Sequence, residues 1–182
     1  IAPSTQWRSF DDQVYDDGVN KNLFDEFFQS TYERIFKYVN RRIAWDAEDV
    51  VNDIYVIAWK RKASMPTTPD EQILWLYAIG RRVIANKIRW KSRLDSFNRL
   101  HKPLLHATDG GAEESDSLIM DILVQLPANL REPLLLVEWE GLSVRDAAKL
   151  LKISESAMTK RLHAARELFA RKYSNLAQSE IA

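Results

Sequence analysis

Apolar positions recur at helical spacing along most of the chain. In LFDEFFQSTYERIFKYVNRRI, the residues Phe28, Tyr32, Ile35 and Val39 follow one another at intervals of three and four, which predicts a helix with one buried side. Asp46, a good N-cap residue, precedes AEDVVNDIYVIAWKRK, where Val50, Val51, Ile54 and Ala58 form the apolar stripe of a second helix. The two prolines of SMPTTPDE force a loop, and a long helix is predicted from Gln72 to Ser96. In that helix Leu76, Ile79, Val83, Trp90 and Leu94 share a stripe that is expected to face a core.

The periodicity stops in HATDGGAEESDS, residues 106–117, where glycine, small and acidic residues take over and predict a flexible linker. It resumes beyond residue 118. Pro133 in ANLREPLLLVEW removes a helix N–H, so a helix is expected to start near it or to kink there. The stretch GLSVRDAAKLLKISESAMTKRLHAARELF, from Gly141 to Phe169, reads as two amphipathic helices joined by about three residues. Val144, Ala147, Ala148 and Leu151 form the inner side of the first, which Ser143 caps with Asp146 three residues on. Ser154 caps the second, whose inner stripe is Met158, Leu162, Ala165 and Phe169.

These elements predict an all-α fold: two small helical domains joined by a flexible acidic linker, the C-terminal one containing a helix-turn-helix. The expected boundaries are an acidic N-terminal extension over 1–19, a first domain over 20–97, a linker over 98–117, a second domain over 118–175 and a C-terminal tail over 176–182. With only five glycines and 46% apolar residues, a sheet protein is disfavoured.

Composition removes several function classes. There are no cysteines, and His101, His106 and His163 have no ligand spacing, so neither a metal nor another cofactor is expected. No apolar run approaches the roughly 18 residues a membrane span needs, and there is no signal-peptide h-region. No membrane insertion is expected, and the chain reads as cytoplasmic. The 26 basic and 26 acidic residues cancel, but they are segregated. Residues 70–102 hold eight Lys/Arg against three Asp/Glu, and residues 103–127 hold none against five. A local basic face can therefore bind phosphate although the total charge is zero.

Three faces carry candidate chemistry. In the last helix Ser156, Thr159, Lys160 and His163 gather opposite the apolar stripe, with Arg145, Arg161 and Arg166 flanking them, a set suited to a DNA major groove and its phosphates. On the long helix Arg82, Asn86, Arg89 and Arg93 fall within about 40° of Trp75 over roughly 27 Å, an arrangement that suits stacking on bases and pairing with phosphates. On the second helix Asp49, Asn52, Asp53 and Val56 share an acidic, partly apolar face with Lys60; carboxylates repel DNA, so this face is expected to meet a protein. Two other readings are open at this point. One is a helix-turn-helix regulator whose first domain only dimerises. The other is a helical metal-dependent hydrolase using Asp46, Asp49 and Asp53, for which no facing carboxylates or histidines are found.

Three ordered segments, DAEDVVNDIYVIAWK, WLYAIGRRVIANKIRWKSR and LPANLREPLLLVEWEGLSVRDAAKLLKISESAMTKRLHAARE, resemble in order and spacing the extracytoplasmic-function sigma factors of the bacterial sigma-70 family over about residues 20–175. The resemblance implies an alternative-type RNA polymerase sigma factor, not an enzyme, that binds core RNA polymerase, directs it to specific promoters and helps to open the DNA. Residues 20–97 would be sigma region 2 and 118–175 sigma region 4. Asp49, Asn52, Asp53, Val56 and Trp59 would dock on the beta-prime clamp helices, with the beta subunit flap as a further contact. Trp75, Arg82, Asn86, Arg89 and Arg93 would meet the minus-ten element. Arg145, Ser156, Thr159, Lys160, Arg161, His163 and Arg166 would meet the minus-thirty-five element. The acidic linker would thread through the polymerase cleft, and an anti-sigma factor covering both lobes is an implied partner. Asn52 stands where the family usually has Gln, Arg82 where many members have Asn, Asn86 where many have Asp, and Lys152 where the turn commonly has glycine.

Overall fold

The computed structural model describes residues 21–98 and 114–179. The expected extension over 1–19 lies outside the described residues, as do linker residues 99–113 and tail residues 180–182. Every element among the described residues is helical: α1 Lys21–Asn40, α2 Ala47–Lys60, α3 Pro69–Asn98, α4 Glu114–Gln125, α5 Ala128–Leu134, α6 Val144–Leu151 and α7 Glu155–Ser179, with short 3₁₀ turns around α2 and a π-helix over Leu135–Trp139.

The first lobe is a three-helix core. α1 buries Phe24, Phe27, Ile35, Tyr38 and Val39. α2 buries Ala47, Val50, Val51, Ile54, Tyr55 and Ala58, one side of the helix as its periodicity requires. Asp46 occupies the N-cap position of α2 but makes no side-chain cap bond; its carboxylate is drawn instead to Lys87 of α3. α3 starts three residues earlier than the sequence pattern predicts. Thr68 and Glu71 form a capping box, with Thr68 Oγ1 donating to Glu71 Oε2 at 2.8 Å and accepting from Glu71 N at 3.4 Å, and Pro69 sits at the first helical position, where its missing N–H costs nothing. Gly80 lies where α1, α2 and α3 approach one another, facing Ile54 and Tyr38.

The core stripe expected on α3 is only partly a core. Leu76, Ile79 and Val83 are buried, whereas Trp90 is 56% and Leu94 40% exposed. Both residues keep the helical register, but α3 runs past the end of α1 and α2, and no described element covers them. Trp90 receives the Lys87 ammonium over its ring at 5.8 Å.

In the second lobe α4, α5 and α7 enclose Leu123, Leu126, Leu134, Leu135, Leu162 and Ala165. Helix α4 begins at Glu114, so residues 114–117, expected in the linker, form its first turn. Pro133 lies inside α5, neither starting it nor ending it. The helix widens to the π form two residues later, and Glu140 N donates to the Leu135 carbonyl at 3.0 Å. Gly141, at φ 68°, then turns the chain so that Leu142 N reaches the Leu136 carbonyl at 3.0 Å.

The helix-turn-helix follows. Ser143 Oγ accepts from Asp146 N at 3.1 Å and donates to Asp146 Oδ2 at 2.7 Å; this bond is the main cause holding the Asp146 carboxyl below its usual range. Ser154 Oγ accepts from Ala157 N at 3.1 Å and starts α7. Lys152 between them is left-handed at φ 57°, ψ 45°, with Ile153 N donating to the Ala148 carbonyl at 3.0 Å in a Schellman-type end. A lysine in that conformation carries strain of about 1 kcal/mol that glycine escapes. Glycine also costs unfolded-state entropy, so Lys152→Gly is expected to leave a small net gain that raises the melting temperature by about 1–3 °C, read by thermal circular dichroism.

The two lobes, expected as separate cores, are joined. Leu136 of the π-helix and Leu142 after it, with Ala147, Ala148 and Met158 of the helix-turn-helix, belong to the same apolar cluster as the α1–α3 core. Arg81 of α3 donates to the Leu150 carbonyl of α6 at 3.2 Å.

Candidate nucleic-acid and protein interfaces

The best-formed candidate face is that of α7. Met158, Leu162 and Ala165 are buried and Phe169 is half-buried, while Ser156, Thr159, Lys160 and His163 are all exposed on the opposite side. The caps at both ends of the turn and the close packing of Ala147 and Ala148 fix where that exposed side points. The Thr159 hydroxyl donates to the Glu155 carbonyl at 2.9 Å, leaving its lone pairs outward. His163 lies 3.8 Å from Glu167. Arg145 is exposed and Arg161 half-buried. Arg166 is committed elsewhere: its Nε and Nη2 donate to Glu138 Oε1 at 2.9 and 2.6 Å. Nη1 is not used by Glu138, so a phosphate could meet Arg166 while that pair persists.

On α3 the structure brings four of the five expected residues to the surface and withdraws the fifth. Arg82, Asn86, Arg89 and Arg93 are exposed. Arg89 Nη2 donates to Asn86 Oδ1. Trp75 is half-buried and packs on the core, its ring 6.4 Å from that of Phe27; near the start of α3 the partner helix α1 is still alongside and covers it. An open groove of about 460 Å³ is lined by Arg81, Arg82, Ala85, Asn86 and Arg89. Arg81 is a lining residue that helical-wheel reasoning missed; the adjacent arginine pair Arg81–Arg82 was the available signal.

On α2, Asp49 and Asp53 are exposed and Asn52 and Val56 half-buried, so the expected residues do lie on an accessible side. Trp59 is 39% exposed. Its ring meets Phe24 edge-on at 4.9 Å and carries the Lys62 ammonium 4.3 Å above it. Lys87 adjoins this side from α3; its bond with Asp46, aided by the charges of Asp49 and Asp53, holds its ammonium above the usual lysine range. Among the described residues no cluster of His, Cys, Asp and Glu has the disposition of a metal site, and no helix is long and apolar enough to cross a membrane.

A helix-turn-helix with its reading side exposed, and a long arginine-bearing helix beside an acidic one, define the class of DNA-binding transcription proteins. The family model for sigma-70, region 4 matches residues 116–169. RNA polymerase sigma factor SigZ of Bacillus subtilis (strain 168) is 27% identical over 154 residues, which cover 80% of this chain and 82% of that protein. A probable RNA polymerase sigma factor, RfaY of Xanthomonas campestris pv. campestris, is 29% identical over 147 residues, 76% of this chain but 36% of that longer protein. Among solved structures, the sigma factor RpoE from Bartonella quintana, crystallised with the anti-sigma factor NepR, superposes with a TM-score of 0.68 at 21% identity, over 83% of this chain and 96% of that one. CnrH, solved with the cytosolic domain of CnrY, gives 0.65 at 21% identity, over 87% and 92%. Residues 116–169 thus match region 4 of the sigma-70 proteins, and over most of its length the chain is similar to RNA polymerase sigma factors.

Proposed function

We propose that the chain is a promoter-specificity subunit that binds core RNA polymerase in the cytoplasm, directs it to particular promoters and assists DNA opening, with no catalysis of its own. The observation that carries the reading is the distribution of exposed charge. Carboxylates of Asp49 and Asp53 lie on an accessible side of α2, while guanidiniums and polar groups are presented by α3 and α7. A protein that only bound duplex DNA would have no use for an acidic docking side; a subunit held by a larger machine has one.

In this reading Asp49, Asn52, Asp53, Val56 and Trp59 meet the polymerase clamp helices, and the beta flap meets the second lobe. Arg82, Asn86, Arg89 and Arg93, with Arg81 in the same groove, hold the separating strands at the minus-ten element. Unstacking a base costs a few kcal/mol, and a groove of cations beside a strand can offset part of it. Trp75 acts from beneath, by fixing α3 on α1. Ser156, Thr159, Lys160 and His163 read the minus-thirty-five duplex, and Arg145, Arg161 and Arg166 fix register on phosphates. RpoE of Bartonella quintana and CnrH were each solved with a protein bound to them, which supports an anti-sigma partner here.

Run-off transcription from a promoter library with bacterial core polymerase tests the reading: promoter-specific transcripts should require the chain, and their absence with the chain present defeats it. Lys160→Ala is expected to lower affinity for the upstream element by about tenfold, within the 1–3 kcal/mol typical of a specific groove contact, while core polymerase binding stays unchanged. Unaltered promoter choice would count against the role given to Lys160.

A further inference from the structure

Bases of a separated strand need a flat partner, and the aromatic expected to provide it is turned away, because the Trp75 ring packs on Phe27. Trp90 is in the opposite situation. Its spacing on α3 predicts a core position, yet it is 56% exposed. At 100° per residue, Asn86 and Arg93 lie about 40° and 60° to one side of Trp90, and Arg89 about 100° round on that same side. Lys87 lies about 60° to the other. The indole therefore borders the arginine stripe of α3, one turn beyond Asn86 and one turn before Arg93. From Arg82 to Leu94 the helix carries five Lys and Arg and no Asp or Glu, so the surroundings of the ring attract a polyanion.

The other exposed tryptophans are differently placed. Lys91 sits 3.9 Å over the Trp45 ring, and the concavity beside it is lined by Asp46, Glu48 and Asp49, whose carboxylates repel phosphate. Trp59 belongs to acidic α2 and carries the Lys62 ammonium. Trp139 lies on the π-helix of the second lobe. Over Trp90 the Lys87 ammonium stands 5.8 Å from the ring centre, at the outer limit of a cation–π contact, and is drawn toward Asp46. It edges the indole and leaves room for a base. Resting on the promoter-reading function above, we propose that Trp90 is a binding residue for single-stranded DNA: one unpaired base of the opened minus-ten strand stacks on its indole, and the neighbouring phosphates meet Arg89 and Arg93. Every base has a π-face, so such a contact accepts all four. Trp90 then sets how firmly the opened strand is held and adds nothing to which sequence is chosen.

The test uses the chain with bacterial core polymerase and labelled fork DNA whose minus-ten strand is unpaired. Trp90→Ala should lower affinity for the fork by about tenfold, in the range of one lost base stack. Trp90→Phe should keep most of the affinity, whereas Trp90→Leu, apolar but without a π-face, should lose as much as alanine does. Removing bases one at a time from the unpaired strand should reveal one position whose loss is costly in the unaltered chain and costs nothing further in Trp90→Ala. Exchanging the base at that position for another should change affinity by less than threefold. Helicity by circular dichroism and affinity for core polymerase should not change, since the substituted ring is largely in solvent. Fork affinity retained in Trp90→Ala, leucine performing as well as phenylalanine, or no base whose removal becomes silent in Trp90→Ala each overturns the stacking role. So does a loss of polymerase binding that accounts for the whole effect. If the unaltered chain brings polymerase to no DNA, the functional reading fails, and the same variants with a labelled single-stranded oligonucleotide and the isolated chain decide the role of Trp90 by themselves.

Discussion

Asp49→Ala combined with Asp53→Ala should weaken binding to core RNA polymerase by about thirtyfold or more, a loss of about 2 kcal/mol. Both side chains are exposed, and neither is paired within α2, so their removal leaves the buried side of that helix untouched. Asp49 lies in the first turn, where a carboxylate is favoured by the helix dipole by about 0.3–1 kcal/mol; that is the main stability cost and is too small to unfold the lobe. Lys60→Ala provides the internal control, because Lys60 lies on the same exposed side with opposite charge. If the acidic side meets basic residues, removing Lys60 should leave affinity unchanged or improve it. The loss in the double variant should also shrink at high salt, as the interaction it removes is screened. Equilibrium binding to labelled core enzyme at two salt concentrations measures all three, and an affinity indifferent to Asp49 and Asp53 would remove the docking role from α2.

How far the sequence could be read differs from element to element, for identifiable reasons. The α6–α7 pair was legible because each helix announces its start with a serine, both bonds are made as expected, and the apolar stripes are short and unambiguous. The capping box at Thr68 and Glu71 was equally legible but was masked by the prolines around it, which signal a loop until Pro69 is recognised as a first-turn residue. Trp90 and Leu94 illustrate a different limit. Periodicity says which residues share a side of a helix and nothing about where the neighbouring helix stops, so it predicts a core wherever the register continues. Trp75 errs the other way: its angle places it with the arginines, but a broad ring near the covered end of α3 finds Phe27 before it finds solvent.

The lobe-to-lobe contact was not legible at all. Its partners are about 100 residues apart in the chain, and charged residues are read as surface by default because they are so seldom buried. Glu140 and Arg42 look like any other charges in EWEGLS and VNRRI, and no local pattern marks them as a pair. Tyr38 is a related case. Burial raises its phenol pKa far above the usual tyrosine range, and its hydroxyl has no hydrogen-bond partner among the described residues, so the ring contributes its apolar surface and a platform for the Arg42 guanidinium stacked on it.

Gly80→Leu should be the most destabilising single change in the first lobe. A Cβ at position 80 would come within 3.1 Å of Ile54 Cδ1 and within 3.1 Å of Tyr38 Cε1, closer than side chains tolerate without moving. Glycine inside a helix costs about 1 kcal/mol relative to alanine, and its place in the middle of α3 is accounted for by the crossing of α1 and α2 against it. Gly80→Ala sets these effects against each other: the helix gains about 1 kcal/mol while two side chains shift by tenths of an ångström, and the melting temperature should change by no more than about 2 °C. Leucine brings three further carbons into a site already closed by buried side chains, at an overpacking cost of about 3 kcal/mol. For a chain of this length that lowers the melting temperature by about 6–12 °C. The effect should not stay local. Tyr38 is the ring on which Arg42 stacks, and Arg42 holds both Glu140 and Glu132, so a displaced Tyr38 loosens the joint between the lobes. The leucine variant should therefore combine early melting with a larger radius of gyration by small-angle scattering at temperatures where its helicity is still intact. Early melting with an unchanged radius would mean that Gly80 matters only for the packing of the first lobe.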